Sequence, residues 1–491
     1  MNIKLGNQIM IKAKLLHKIF TFKNLAILVF FVLVVFTRFY NLEGTTRFTR
    51  DESQNLLDMY DIFKEREITF VGPINYGETI VYPSTTFYML LPFAALGNFE
   101  AYSPALGTAF YGVITVILIL LVVKKMNEKI ILPVALLSLV WFPLLETSRW
   151  AWNPHLVPFT TFAAIFLFFQ KRPILRLLSG FLFGLSFHLH YLSVVSFSIF
   201  VLISCISSVR EKKFKDSLFL WLGFLIAMVP FVIFDLRNPP GLFFTHYVKN
   251  NLVSAGAGSE LALFPKTFVE NISNVIVLIA QSKFLAKILG ILFMGLLIFD
   301  LRKNRGSFLW LAPIIGQIVI ISFLPFYENR YFYLGLPFFV VWLSYPRKNW
   351  GSFLAKAAVI IMIVGSLFSV KRQLTEPIRV PDTRSIRLIT SYIRDEVRRE
   401  DRKNVNVAVL ASPDRDPLGV IYRHVLKIKG VSLLGDNQFD ITDNLFVITT
   451  SEAKVVRRDP ANVMTSFRNG KIAESYEVDG TEWKIYLFNR Y

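Results

Sequence analysis

The chain has 491 residues, 54% of them hydrophobic and only 18% charged, with a formal net charge of +19. So apolar a composition excludes an ordinary soluble globular protein. It also argues against a nucleic-acid groove, because most of the basic excess lies in short loops between apolar runs, where it sets membrane orientation.

From Leu25 to about Val370, almost uncharged runs recur, each about 15–20 residues and so about long enough to cross a hydrocarbon core of ~30 Å. They predict about eleven spans, near 24–42, 104–123, 130–146, 152–170, 174–190, 191–208, 217–235, 284–300, 307–325, 331–345 and 352–370. Trp and Tyr gather near the run ends, as in interfacial belts. The first run, "LAILVFFVLVVFTRFYNL", has no small-residue cleavage site after it and reads as a retained span. The stretch 174–208 is too long for one helix and must turn near His188 and His190. Cys205 is the only cysteine, so no disulfide forms within the chain and the redox compartment is not legible from it.

Orientation follows from the basic loops. Lys12, Lys14, Lys18 and Lys23 precede the first span; Lys124–Lys125, Lys171–Arg172, residues 210–215, residues 302–305 and Arg347–Lys348 share their face if the N-terminus is cytoplasmic. An odd number of spans then exports the tail. The longer connections, 43–103 and 236–283, lie on the same outer side.

Just after the first span comes "RFTRDESQNL", residues 47–56. Thr49-x-x-Glu52 fits a capping box, with Thr49 as N-cap. Leu56, Tyr60 and Phe63 share one helical face, and Asp51, Asn55 and Asp58 another. The spacing predicts an amphipathic helix over 50–66 on the outer membrane surface. A cap alone explains the acidic pair. The same geometry leaves Asp51 in the first turn, where the helix dipole favours its ionised form, as a base worth roughly 10²–10⁴ in rate. Spacing does not choose between cap and base.

From about residue 376 the composition changes. "NVNVAVLAS" (404–412), "NLFVITTS" (444–451) and "EWKIYLF" (482–488) read as buried strands, and 382–400 and 416–428 as amphipathic helices. Together they predict a compact α/β domain with its own core and no Gly-rich phosphate loop. His188 and His190 would point about 200° apart on a helix, away from one shared ion, so no metal site is assigned. Gly180-x-x-x-Gly184 permits close helix packing.

Three further segments carry a family resemblance: "NYGETIVYPSTTFYMLLPFAALGNF" (75–99), "ETSRWAWNPHLVPF" (146–159) and "YENRYFYLGLP" (327–337). Their order and sidedness resemble the GT-C superfamily of integral-membrane glycosyltransferases. More narrowly, the chain resembles the branch holding protein O-mannosyltransferases and the lipid A aminoarabinose transferase. There an Asp or Asp-Glu pair follows the first span, a Pro-containing juxtamembrane segment comes next, and an R-x-x-x-[DN] turn separates the third and fourth spans. The resemblance covers roughly residues 24–370.

It implies a mainly α, polytopic membrane domain over 1–375, with the outer loop 43–103 holding juxtamembrane helices, and an extracytoplasmic α/β domain over 376–491. It places the protein in a membrane, as in the bacterial plasma membrane. The implied activity is hexosyl or pentosyl transfer from a polyprenyl-phosphate-linked donor to a hydroxyl on a protein, lipid or glycan, by base-assisted inverting displacement. Asp51 is then the candidate base and Glu52 the second choice. Arg330, Arg149 and Arg237 are candidate phosphate ligands, each with a plain structural reading as an interfacial anchor or a partner of a neighbouring acid. Tyr331, Trp150 and Trp152 can stack on a sugar or belong to the belt. Asn153 stands where relatives often carry an acid, and is left to hydrogen-bond or cap. Tyr82 stands before Pro83 where relatives have a basic residue, so one phosphate contact is missing or comes from elsewhere. Glu78 can join an ion or sugar site. No cofactor is firmly implied, with a divalent cation the open option. The partners are the lipid donor, the acceptor and membrane lipids, not nucleic acid. The main rival is a transporter or flippase of a lipid-linked or small polar substrate, which would carry its charges at the membrane midplane. A second rival, a sensor without chemistry, would need neither Asp51 nor Arg330.

Overall fold

The computed structural model describes residues 22–74, 81–170, 172–210, 214–245, 260–323, 328–377, 381–410, 416–465, 467 and 470–490. Among the described residues every apolar run of the sequence is helical. In order these helices are Phe22–Phe39, Ser103–Met126, the pair Ile131–Val140 and Phe142–Arg149, Val157–Phe168, Pro173–Leu189, Ser193–Arg210, Phe214–Arg237, Lys283–Lys303, Phe308–Ile321, Asn329–Ser344 and Asn349–Thr375. Among the described residues four are long and apolar enough to cross a membrane alone, and the bent pair makes a fifth. Helix length therefore accounts for five of the eleven predicted crossings. The pair bends by 49° at Trp141, which is extended, because Pro143 has no N–H to continue the ladder and its ring would clash with the Leu139 carbonyl of an unbroken helix. The expected turn near His188 and His190 falls at His190–Leu192.

One helix was not placed from the sequence. The 236–283 connection contains a helix, Glu260–Ala280. Lys266 and Glu270 interrupt its apolar run, which hid it. It is held by side chains: Thr267 Oγ1 donates to the Ser322 carbonyl (2.7 Å) and Asn271 Nδ2 to Ser322 Oγ (3.1 Å).

Small residues bring two helices together. A Cβ on Gly180 would lie 1.9 Å from the Leu220 carbonyl oxygen, and one on Gly223 1.9 Å from that of Leu177. The 173–189 and 214–237 helices thus touch backbone to backbone, which only glycine permits.

Among the described residues, the turns beside Lys125, Arg172, Asn304 and Arg347 share one end of the bundle. Lys125 Nζ donates to the Phe169 carbonyl (2.8 Å), the Phe169 ring packs 5.5 Å from Trp310, and Asn304 donates to the Pro346 carbonyl (3.1 Å). There Arg347 grips Asp300 through Nε (2.9 Å) and Nη2 (2.6 Å), with both side chains fully buried. The 103–126 helix, 24 residues and so about 36 Å long, separates this end from the other.

At that other end lie the helix Arg50–Glu65, the antiparallel ribbon β1 (Val71–Ile74) and β2 (Val81–Pro83), the helix Thr85–Leu96, and the C-terminal α/β segment. The capping box at Thr49 forms, and Arg66 closes the helix at φ 58°. Its buried stripe is Leu56, Leu57 and Met59, whereas Phe63 stays 54% exposed. The predicted apolar face was thus misjudged in part. The helix does not simply lie on a surface; the C-terminal segment covers it. Leu56 and Met59 join one apolar cluster with Phe87 and Leu90 on one side and Ile386, Ile389, Val425 and Leu426 on the other.

The C-terminal sheet has the order β3 (Val405–Val409), β4 (Asn444–Thr449), β6 (Lys484–Asn489), β5 (Lys471–Glu477). β3 and β4 run parallel, and the other pairs antiparallel. Strand β5 escaped the sequence reading because it is an edge strand alternating exposed Lys471, Ala473, Ser475 and Glu477 with half-buried residues. The helices are Thr383–Arg399, capped by Asp382 onto the Ser385 N–H (2.7 Å), and Val420–Ile428, whose start is set by Gly419 at φ +60°.

Candidate active site

Two arginines lock the 37–52 segment to the 138–153 segment. A helix ends with carbonyls that have no partner along the chain. Arg149, buried, supplies donors to those of the first helix: Nη1 to the Thr37 and Arg38 carbonyls (3.0 Å each) and Nη2 to that of Tyr40 (2.9 Å), with Nη2 also on Thr45 Oγ1. Arg38 reciprocates at the bend, giving Nη2 to the Ser138 carbonyl (2.5 Å) and Nη1 to that of Leu139 (3.4 Å). Arg149 is therefore a clamp: both its Nη nitrogens are engaged, and it does not line the cleft that holds Arg330.

The clamp sets the register of the acidic pair. Glu52 is buried and accepts from the Thr49 N–H (2.7 Å), the Thr49 hydroxyl and Trp150 Nε1 (3.0 Å). Burial raises its carboxyl above the ordinary range against the pull of those bonds. Glu52 is thus a cap and a Trp150 anchor, and it lies outside the main cleft.

Trp150 begins a stack. The Arg47 guanidinium sits 4.4 Å over its ring, Trp152 stacks on it at 4.4 Å and 16°, and the Arg330 guanidinium lies 4.6 Å over Trp152. Both indoles are engaged within the protein, each beside a cation that its π face attracts.

Asp51, one residue before Glu52, faces an open cleft of about 480 Å³ lined by Asp51, Asn55, Pro73, Ile74, Tyr82, Trp152, Asn153, Pro154, His190 and Arg330. Burial raises the Asp51 carboxyl, and the charges of Arg330 and then Arg50 pull it back down. Arg330 Nη2 donates to Glu328 Oε1 (2.9 Å), and its side chain also hydrogen-bonds Tyr331. It is at once the partner of a neighbouring acid and part of the cleft wall. Tyr82 is hydrogen-bonded to the Asn153 side chain, while Asn153 Nδ2 donates to the Leu189 carbonyl (2.6 Å). Burial pushes the Tyr82 phenol up, so it stays protonated.

Other expected residues lie elsewhere. Tyr331 is buried behind Arg330 and does not itself line the cleft. Arg237 is exposed at the end of its helix, away from the cleft, and Asp235 instead accepts the N–H groups of Phe243 (2.9 Å) and Phe244 (2.7 Å). Glu78 lies outside the described residues. Among the described residues no group of three or more His, Cys, Asp or Glu side chains can hold a metal ion. His188 is engaged at both nitrogens, with Thr85 Oγ1 (2.8 Å) and the Ala227 carbonyl (2.9 Å).

Sequence reasoning missed Asn55, His190 and Arg47. Asn55 had a signal, standing one turn after Asp51. His190 enters the cleft wall, and Arg47 stacks on Trp150 outside it, by contacts that no local spacing announces. Beyond β2, a second, mostly apolar groove of about 520 Å³ is lined by Phe70, Pro83, Tyr88, Pro230, Phe231 and Phe243 among others.

The C-terminal segment holds the Asp51 helix from behind. His424 Nδ1 pairs with Ser53 Oγ (2.9 Å), Lys427 with Asp61 (3.5 Å), and Lys429 with Glu100 (3.0 Å). Burial, with Arg50, Lys427 and Arg423 nearby, pushes His424 down to about 4, so its imidazole is neutral at physiological pH.

No family model and no curated protein matches the chain. Solved structures do. ArnT from Cupriavidus metallidurans bound to undecaprenyl phosphate superposes with a TM-score of 0.57 at 10% identity, over 94% of this chain and 98% of that one. The apo state of the same protein gives a TM-score of 0.57 at 10% identity, over 96% and 98%. At that identity the likeness is one of fold, and it spans both parts of the chain: this protein is built on the polytopic, mainly helical ArnT-type membrane fold with a small C-terminal sheet, the fold that the GT-C resemblance implied.

Proposed function

We propose that the chain transfers a sugar from a polyprenyl-phosphate-linked donor to a hydroxyl acceptor. The observation that carries this reading is one cleft presenting both Asp51, a carboxylate made more basic by burial, and Arg330. The ArnT fold supports it, since that protein has been solved with undecaprenyl phosphate bound. The adjoining apolar groove suits an isoprenoid chain. The gathering of the basic loops at the end opposite the cleft supports a cytoplasmic N-terminus and an active site on the outer face.

Asp51 accepts the proton of the acceptor hydroxyl as its oxygen attacks the anomeric carbon. The bond from that carbon to the phosphate oxygen breaks, and its electron pair leaves with the lipid phosphate, whose growing charge Arg330 stabilises. A phosphate monoester leaves readily, so no strong general acid is required. Single displacement inverts the anomeric configuration.

The test is native mass spectrometry of the purified chain with polyprenyl phosphate, comparing wild type, Asp51→Asn and Arg330→Ala. One-to-one binding that survives Asp51→Asn and disappears in Arg330→Ala is expected. A wild type that binds nothing beyond bulk phospholipid overturns the reading.

A further inference from the structure

We infer that His190 is a second hydrogen-bond donor to the phosphate of the lipid donor, acting beside Arg330 through its Nε2–H. The inference rests on the proposed sugar transfer.

His190 ends the 173–189 helix in extended backbone, with its own N–H on the Ser186 carbonyl (3.0 Å). That geometry turns the imidazole out of the helix and into the cleft wall, where the residue is 2% exposed. Aromatic rings hold it there: Tyr191 is stacked at 5.0 Å, with Tyr82 at 6.0 Å and Tyr331 at 6.1 Å.

Its protonation follows from one contact. Nδ1 accepts the Leu192 N–H at 3.4 Å. A neutral imidazole that accepts at Nδ1 carries its proton on Nε2. Among the described residues no hydrogen bond is formed from Nε2, and this nitrogen is not sealed from solvent. It opens on the cleft, where water or a ligand atom accepts from it.

The neighbourhood says of what kind. Arg330 lies close enough to act on His190 electrostatically and is itself a donor only. Asn153 has its amide N–H on Leu189. Two adjacent donors, one of them cationic, match a group that offers acceptors only. A phosphoryl oxygen is such a group, whereas a sugar hydroxyl would bring a proton of its own.

The charge also fits. A sugar-phosphate diester carries one negative charge, which has to share Arg330 with Glu328, and a neutral second donor adds a bond without a second cation. As the bond to the anomeric carbon breaks, charge on the phosphate grows and both bonds strengthen, which places the benefit in the transition state. No proton leaves His190 in this scheme.

The experiment titrates the full-length chain with polyprenyl phosphate, and with polyprenol as the phosphate-free control, in wild type, His190→Phe, His190→Gln and Arg330→Ala. His190→Phe, which keeps a ring and loses the donor, should weaken polyprenyl phosphate about tenfold and leave polyprenol unchanged. His190→Gln should recover part of the loss. In wild type labelled with ¹⁵N-histidine, one Nε2–H resonance should move downfield on adding polyprenyl phosphate, a readout that needs no variant. If Arg330→Ala loses the lipid while His190→Phe binds it like wild type, or if no histidine resonance responds, His190 is a packing residue and the transfer reading stands without it. If wild type itself fails to bind, that reading falls and this inference with it.

Discussion

Asp51 and Glu52 are adjacent carboxylates with opposite predicted responses to loss of charge. Asp51→Asn keeps the shape of a residue on the cleft wall and removes the base, so turnover should fall by roughly 10²–10⁴ with folding stability unchanged. Glu52→Gln should do the reverse. Its carboxylate accepts from the Thr49 N–H, the Thr49 hydroxyl and Trp150 Nε1, and an amide presents an NH₂ to at least one of those donors. One buried donor left without a partner costs about 1–3 kcal/mol, and a weakened cap costs about 1 kcal/mol. The change should therefore cost about 2–4 kcal/mol of stability, while folded molecules keep most of their turnover. The assay pairs release of labelled sugar from a polyprenyl-phosphate donor with thermal unfolding of the same detergent-solubilised samples. A Glu52→Gln enzyme of wild-type stability that has lost a hundredfold in rate, beside an active Asp51→Asn, would refute this division of roles.

The Asp51 carboxylate must be ionised to act, and burial has raised it; the acid limb of kcat/KM should thus lie above the ordinary aspartate value of about 3.9. Among variants that still turn over, Arg330→Gln should move that limb further up, since it removes a charge that pulls Asp51 down; a downward shift would contradict the assignment. Arg149→Met should cost at least about 3 kcal/mol, because several carbonyls at the end of the first helix lose their donors, yet folded molecules should still bind lipid phosphate. Asp300→Ala strands the buried Arg347 and should cost about 3–5 kcal/mol in thermal or denaturant unfolding. Gly180→Val should prevent stable folding, whereas Gly290→Ala should be tolerated, its nearest neighbour lying 3.7 Å from the new Cβ; equal yields of the two in detergent would argue against the close helix contact.

Much of the helical framework was legible because it is written in local spacing. Apolar runs and the Thr49–Glu52 capping box depend on neighbours a few residues away, whereas the break at Trp141 falls inside the single span predicted over 130–146. The 260–280 helix and strand β5 were missed for the same reason in reverse, since charge interrupts the first and an exposed edge dilutes the second. The burial pattern of the 50–65 helix was read only in part. Its covering comes from residues more than three hundred positions later, such as His424 against Ser53.

The candidate site divides along the same line. The sequence by itself determined a polytopic helical chain with an acidic pair after the first span, and its family resemblance implied Asp51 as a base and Arg330, with Arg149 and Arg237, as phosphate ligands. Only the tertiary structure decided that Glu52 is occupied by its cap and Trp150, that Arg149 closes the first helix, and that His190 enters the cleft. The physical reason is that residue type states what a side chain can donate or accept, while its partner is chosen across the fold. Arg149 reaches the Thr37 carbonyl over 112 residues of chain, and no local period encodes that distance.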